Sequence, residues 1–223
     1  MSAGPQAVPG RTQDQAVLGE LLHSLSQPLT TLRCSLEISA VDIAGQRHES
    51  VSAALEQADR AIAVVRLMRE YLDTEPAGGG QGPVALGPML RSVVAQLAQA
   101  GRERQVQLQL TGGSSGTIAL AEPRLRLALQ YLVSVLMERE PRGGEVRLRL
   151  EQAAWESELR GHGTGGRAAA DAATAVIHGV QLAIARRLLE SAGASLQMPD
   201  GGESGEFLLR VPRPLASAGG QLP

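Results

Sequence analysis

The stretch HSLSQPLTTL, residues 23–32, combines a leucine repeat, a histidine and a proline within about three turns of a predicted helix. Its leucines belong to a longer series with alternating steps of four and three, which only Ser39 interrupts: Leu18, Leu22, Leu25, Leu29, Leu32, Leu36, Ser39 and Ile43. This spacing predicts a helix with a heptad seam. Pro28 lies inside that helix, where a proline costs about 3 kcal/mol, so the stretch either ends the helix or has a function.

A second apolar series with nearly the same spacing follows after a short connection. It consists of Val51, Leu55, Ala58, Ile62, Val65, Met68 and Leu72. Two long helices with a short connection predict an antiparallel hairpin. A single hairpin cannot bury the apolar stripes of both of its helices well. Two hairpins can bury them by forming a four-helix bundle, so we expect a homodimer. The alternative is that the second half of the chain covers the stripes.

Composition limits the possible class of protein. The 223 residues have a formal net charge of -2 and are 43% hydrophobic but only 2% aromatic. This balance predicts a core of aliphatic side chains and no general attraction to nucleic acid or to a membrane. The lone Cys34 fits a reducing compartment. With no apolar run of spanning length and no signal peptide at the start, we expect a cytoplasmic protein.

The remaining segments predict an α+β organisation. We expect a loose tail at 1–11, the helical hairpin at 12–74, a glycine-rich linker at 75–83, an α/β domain at 84–213 and a second tail at 214–223. The α/β domain should contain three helices, within 87–105, 122–140 and 180–194, with Pro123 in a first turn where its missing donor does no harm. Short alternating runs predict strands at 106–110, 117–121, 143–152, 155–161, 195–198 and 205–211. A glycine- and alanine-rich loop should span 161–178, and the strands should form one mostly antiparallel sheet with helices on one face.

Two motifs resemble the cytoplasmic core of bacterial sensor histidine kinases. HSLSQPLT, residues 23–30, is similar to the family's H-box, often H-E-L-x-Q-P-L-T. GVQLAIARRLLESAGASLQ, residues 179–197, is similar to the segment after the ATP lid, typically G-x-G-L-x-I. The resemblance runs from about residue 12 to 213 and implies a dimerising hairpin with a phosphoacceptor histidine, followed by an ATP-binding α/β sandwich.

The resemblance implies that His23 is the phosphoacceptor. His23 falls one residue off the seam, on the outer flank of the bundle, and a neutral imidazole there is a competent nucleophile for phosphoryl groups. Pro28 then corresponds to the bend that family members have just past the histidine. Ser24 replaces the acid that usually follows it. Ser24, Ser26, Gln27, Thr30 and Arg33 lie on adjoining turns, where a partner would dock.

The nucleotide site implied by the resemblance is degenerate. The helix asparagine that holds Mg²⁺ in the family corresponds to Val135, and Mg²⁺ requires oxygen ligands. The family's D-x-G-x-G corresponds to GHGTG, so Gly161 replaces the carboxylate that recognises adenine, with Gly163 and Gly165 retained. In the G-x-G-L segment Gly179 is retained, but Gln181 replaces the second glycine. We therefore expect no metal site and no tightly bound cofactor.

Three functions are compatible with this pattern. The first is a dimeric histidine phosphotransferase that relays phosphoryl groups through His23 between response-regulator receiver domains, which supply their own Mg²⁺. The second is a pseudokinase that binds and regulates a signalling partner, and the third is an active sensor kinase. Other residues have ordinary interpretations: His48 and His178 as solvated or capping residues, and Trp155 as partly buried packing. His162 is interpreted as a loop residue without a function, with a metal ligand as the alternative.

Overall fold

A computed structural model describes residues 19, 23–34, 47–72, 82–113, 116–164, 172–199 and 205–212. The chain divides into two compact units. One comprises Met1–Glu75 with Asp171–Ala183, and the other comprises Pro76–Ala170 with Ile184–Pro223. No helix in the described ranges is long and apolar enough to cross a bilayer.

Two helices, α1 (23–34) and α2 (Arg47–Leu72), form most of the described part of the first unit. α1 is helical through Pro28, so this proline does not end the helix. The side chains buried within the unit include Pro28 on α1, and Ala54, Ala61, Val64 and Leu67 on α2. Each helix therefore has an inner face that is already covered in a single chain.

The second unit contains a sheet of five strands: β2 (Gln107–Gly112), β4 (Glu145–Gln152), β5 (Glu156–Gly163), β6 (Ser195–Gln197) and β7 (Glu206–Pro212). Their order across the sheet is β2-β4-β5-β7-β6. β2 pairs with β4 in parallel, and the other neighbours are antiparallel. The short strands β1 (Val84–Ala85) and β3 (Thr117–Ile118) pair with each other outside this sheet. The expected antiparallel character is confirmed for three of the four strand pairs of the main sheet.

The sheet is apolar on one face, as the alternation in the strands predicts. On β4, Val146, Leu148 and Leu150 are buried while Arg147 and Arg149 are exposed. Helices α3 (Leu86–Arg104) and α4 (Glu122–Arg139) contact the sheet and each other, and Pro123 lies in the first turn of α4. The core is aliphatic, with Phe207 as its one aromatic side chain among the described residues.

Three sequence-based expectations are wrong. Residues 161–178 are not one loop, because β5 continues to Gly163 and α5 (Ala172–Ser191) begins at Ala172. The run at 117–121 contributes only Thr117 and Ile118 as a strand, and that strand is not part of the main sheet. Trp155 is not packed: it lies at the tip of the β4–β5 hairpin and is 79% exposed.

The histidines outside α1 also differ from expectation. His178 is buried in α5, with 1% of its surface exposed, and is not a solvated or capping residue. His48 lies in the first turn of α2 and not in the connection before it. His162 is half-buried on β5, where it pairs with Arg147 and with Glu206 of the neighbouring strands.

Candidate functional site

His23 lies at the start of the described part of α1, with its side chain exposed. Residues three, four and seven positions apart share one face of a helix, so Ser26, Gln27 and Thr30 lie on the same face as His23. Arg33 lies one turn beyond Thr30, and the side chains of all five residues are exposed. The structure therefore places an imidazole in solvent beside a polar strip of α1.

A cavity of about 570 Å³ opens beside His23. The hairpin residues that line it are His23, Ser24, Ser26, Gln27, Pro28, Thr30, Thr31, Gln57 and Val64. Most of these belong to the H-box stretch, and α2 adds one polar and one apolar side chain. The predicted acceptor thus lies at the edge of a concave surface within the first unit that both polar and apolar side chains line.

Hydrogen bonds within α1 hold this polar strip. Gln27 Nε2 lies 3.3 Å from His23 Nε2, one helical turn away. The hydroxyl of Thr30 donates to the carbonyl oxygen of Ser26 at 2.8 Å, and that of Thr31 donates to the carbonyl oxygen of Gln27 at 3.1 Å. Such bonds from a hydroxyl to the preceding turn often bend a helix slightly. Both of these bonds span Pro28, because each joins a hydroxyl after the proline to a carbonyl before it. Pro28 itself has no backbone N–H to donate to the preceding turn.

Ser24 differs from the other predicted docking residues. Only 7% of its surface is exposed, so its side chain is not available to a partner. One turn further, Pro28 is buried as well. Ser24 therefore belongs to the covered face of α1 and should be removed from the expected docking surface.

Apolar side chains remain uncovered on both hairpin helices. Leu29 is 47% exposed on α1, and Leu55, Ile62 and Val65 are 52% to 62% exposed on α2. These residues belong to the two heptad series. On each helix they lie directly beside the buried inner face. Exposed aliphatic residues in a row along a helix typically mark an interaction surface.

Gly161 is buried in β5, where it pairs with Leu148 and Phe207. A Cβ atom added to Gly161 would lie 2.7 Å from Cζ of Phe207 and 2.9 Å from Cδ1 of Leu136, and it would also overlap Cε1 of the same ring. The space beside this position is therefore filled by the phenyl ring and by a leucine of α4. An aspartate at this position would not fit without displacing them.

Glu140 is a residue that the sequence did not single out. It follows the last residue of α4, and only 7% of its surface is exposed. Its carboxylate lies between two glycines: a Cβ on Gly144 would be 2.6 Å from Oε2, and a Cβ on Gly163 would overlap Oε1. The carboxyl group of Glu140 thus occupies the space over Gly163, one of the glycines of the GHGTG segment.

The other predicted nucleotide-site residues are placed as follows. Val135 is buried in α4 with 2% exposure, so it supplies packing and no oxygen ligand. Gly179 is exposed on α5, with open space around it. Gln181 is half-buried on the same helix, and its Oε1 is buried without a hydrogen-bond partner. Gly165 lies outside the described residues. The described residues contain no group of three or more histidine, cysteine or acidic side chains that could hold a metal ion.

The outer face of the sheet has paired charges. Arg160 and Arg210 donate hydrogen bonds to the carboxylate of Glu158 at 2.8 and 3.1 Å, and the bond from Arg160 is the main reason why the pKa of Glu158 is lowered. Arg147 pairs with Glu145, and Arg149 with Glu151. Because these opposite charges compensate one another, they provide neither a basic patch nor a candidate acid–base group.

Comparison with solved structures places this fold beside histidine kinase cores. The Acinetobacter baumannii histidine kinase AdeS is 14% identical, with a TM-score of 0.63 over 86% of this chain and 98% of that chain. Full-length ShkA, solved in complex with AMPPNP, is 16% identical, with a TM-score of 0.53 over 88% of this chain and 45% of that one. The catalytic domain of histidine kinase ThkA is 14% identical, with a TM-score of 0.50 over 60% and 97%.

Comparisons by sequence find no counterpart. No family model matches the chain, and no curated protein matches it. The likeness is therefore one of fold: helices followed by an α/β sandwich similar to the histidine kinase ATPase domain. This agrees with the resemblance carried by the H-box and by the segment at 179–197.

Proposed function

We propose that this protein is a histidine phosphotransferase of a two-component phosphorelay. His23 accepts a phosphoryl group from a phosphorylated receiver aspartate and passes it to another receiver. The observation that carries the proposal is the exposed imidazole of His23 at the edge of a cavity, on a helix of a histidine kinase-like fold. Ser26, Gln27, Thr30 and Arg33 would form the surrounding receiver-docking surface.

Transfer between receivers needs less from this chain than transfer from ATP. An aspartyl phosphate is an activated donor, and the receiver contributes the Mg²⁺ that neutralises the phosphoryl oxygens. The attacking group need only be an accessible imidazole nitrogen. That requirement is compatible with Ser24 in place of an acid after His23.

ATP with Mg²⁺ does not fit the residues at the corresponding nucleotide positions. Val135 offers no oxygen ligand, Gly161 is covered by Phe207 and Leu136, and the carboxylate of Glu140 lies over Gly163. A carboxylate there would also repel the phosphates of a nucleotide. We therefore assign this part of the chain no role in ATP chemistry.

Thermal-shift titration with ATP and Mg²⁺ should leave the melting temperature unchanged. A ligand at 100 times its dissociation constant stabilises the folded state by about 2.7 kcal/mol, which such a titration detects readily. Mg²⁺ without nucleotide is the matched control. A clear upward shift that requires both ATP and Mg²⁺ would favour the active-kinase alternative.

Dimerisation through α1 and α2 is the second part of the proposal, because Leu29, Leu55, Ile62 and Val65 remain exposed in a single chain.

Ile62→Asp should convert the dimer to a monomer, since a charge buried in the seam costs about 3 kcal/mol or more. This cost is equivalent to a weakening of the dimer Kd by at least about 100-fold. Helicity should persist, because Ile62 is 59% exposed within the chain. Light scattering measures the mass, and Ala63→Asp, at an exposed position off the seam, is the control. A native protein that is monomeric at micromolar concentration would contradict the bundle.

A further inference from the structure

Strand β2 lies at an edge of the five-stranded sheet. It pairs with β4, and no strand in the described ranges pairs with its other side. The opposite edge strand, β6, has only three residues, whereas β2 has six. A long edge is usually protected by charged residues, a proline or a bulge. QLQLTG, residues 107–112, has neither charge nor proline, and its register with β4 is uninterrupted.

The outward backbone groups of β2 belong to Leu108 and Leu110. Gln107 N–H donates to the carbonyl oxygen of Gly144 at 3.0 Å, so the backbone groups of Gln107 face β4. Because successive residues of a strand direct their N–H and C=O groups to opposite edges, Leu108 and Leu110 direct theirs away from β4. In the part of the chain that the structure describes, these two donors and two acceptors have no strand partner.

A cavity of about 550 Å³ lies between this edge and α3. α3 ends against the start of β2, where Val106 N–H donates to the carbonyl oxygen of Gly101 at 2.8 Å. Residues four positions apart on a helix share one face, and three such residues of α3 line the cavity: Val94, Ala98 and Arg102. Leu108 and Gln109 line it from β2. The open edge of β2 therefore borders a groove that has a helix as one wall.

The groove combines apolar surface with one positive charge. Val94 and Leu108 are half-buried, whereas Val146, the register partner of Leu108 on β4, is fully covered. Arg102 is exposed, and it is the one charged residue among the described residues that line the groove. Its guanidinium donates to the neutral side chain of Gln99 at 2.6 Å. An aliphatic side chain and a carboxylate are the groups that complement this surface.

We infer that the edge of β2 is a docking site for an extended, acidic segment of a partner protein. The segment adds a strand to the sheet by bonding to the outward backbone groups of Leu108 and Leu110. It places an aliphatic side chain in the groove and a carboxylate beside Arg102. In this mode of recognition main-chain hydrogen bonds supply affinity and side-chain pockets supply specificity. The site consists only of residues of the second unit and does not depend on the role proposed for His23.

Selection of a phage-displayed library of random peptides on the full chain tests this inference. The selected peptides should alternate aliphatic with other residues and should carry an acidic residue, and fluorescence anisotropy measures their Kd. Leu108→Pro removes an outward N–H without removing a bond to β4, and edge strands tolerate proline at such positions. It should weaken binding by at least about tenfold. A thermal melt checks that this variant is folded.

N-methylation of the peptide tests strand addition without any change to the protein. Only alternate N–H groups of an added strand face β2. Methylation of every second residue should therefore abolish binding in one register and be tolerated in the other.

Arg102→Glu tests the acidic character of the segment. Because an attraction is replaced by a repulsion, binding of an acidic peptide should weaken by about tenfold. A peptide with lysine in place of the acid should bind this variant better than the wild type. Arg104→Glu is the matched control, since it makes the same change in the same last turn of α3. Arg104 donates to the carbonyl oxygen of Glu138 and does not line the groove, so binding should change far less.

Three results would overturn the inference. The library yields no binding peptide, or the selected peptides bind Leu108→Pro and Arg102→Glu as tightly as the wild type. The third is binding that is equally sensitive to N-methylation in both registers, because the peptide would then not be paired with β2 as a strand.

Discussion

His23→Gln should abolish phosphoryl acceptance and leave the free energy of unfolding nearly unchanged. Glutamine has no nucleophilic nitrogen at neutral pH, so no phosphoramidate can form. The side chain of His23 is exposed, and surface substitutions usually change stability by about 0.5 kcal/mol or less. The measurement is incubation with a phosphorylated receiver, followed by mapping of acid-labile phosphate and a thermal melt of the variant.

His162→Gln provides the matched control, since His162 lies on β5 and outside the proposed site. Acceptance should be unaffected in this variant. If acceptance survived in His23→Gln, another residue would be the acceptor. A large fall in melting temperature for His23→Gln would show that this histidine is structural. If the native protein takes no phosphate from any phosphorylated receiver, the binding-only pseudokinase becomes the better account.

The elements that the sequence predicts best are those with a clear periodicity. EVRLRLEQ alternates strictly, and residues 145–152 form β4 with its leucines inside and its arginines outside. The helices α3 and α4 lie within one residue of their predicted bounds, because each has an amphipathic pattern and a clear breaker nearby. These features depend on local patterning, which a sequence displays directly.

The start of α5 illustrates what local patterning does not reveal. Glycines at 161, 163, 165 and 166 suggested one continuous loop as far as residue 178, although AATAVIH is compatible with a helix. Because the boundary was misplaced, the burial of His178 was missed. The prediction for Trp155 was wrong for another reason. The size of a tryptophan side chain favours burial, but Trp155 lies in a three-residue turn outside the core. A hydrogen bond from Ala153 N–H to the Glu156 carbonyl oxygen, at 2.9 Å, closes this turn.

Glu140 depends on tertiary pairing and has no sequence signature. A charged residue after a helix is normally solvated. Gly144 is near Glu140 in sequence. Gly163 approaches Glu140 only because β5 pairs with β4, which places Val146 opposite Gly163. The resemblance predicts the loss of nucleotide-binding residues at Val135 and Gly161 from the sequence alone, whereas the side chains around Gly161 and Gly163 are evident only from the fold.

Gly161→Asp should destabilise the second unit and should not create an ATP site. The resemblance to histidine kinases predicts a carboxylate at this position, but here the added Cβ would overlap the ring of Phe207 and press on Leu136. Overpacking of this kind costs about 1–3 kcal/mol, and an aspartate without a partner in an apolar core adds at least about 1–3 kcal/mol. The sum is a large part of the total stability of a typical protein, about 5–15 kcal/mol. A thermal melt and an ATP titration of the same sample measure both effects.

Two companion variants separate crowding from charge. Gly161→Ala adds only the Cβ, so its loss of stability should be smaller than that of Gly161→Asp. Combining Gly161→Asp with Phe207→Ala removes the overlapping ring, but the carboxylate remains buried, so this double variant should still melt below Phe207→Ala alone. If Gly161→Asp instead melted with the wild type and gained Mg²⁺-dependent ATP binding, the space beside β5 would be open. A missing carboxylate, and not a filled cavity, would then be what limits nucleotide binding at this position.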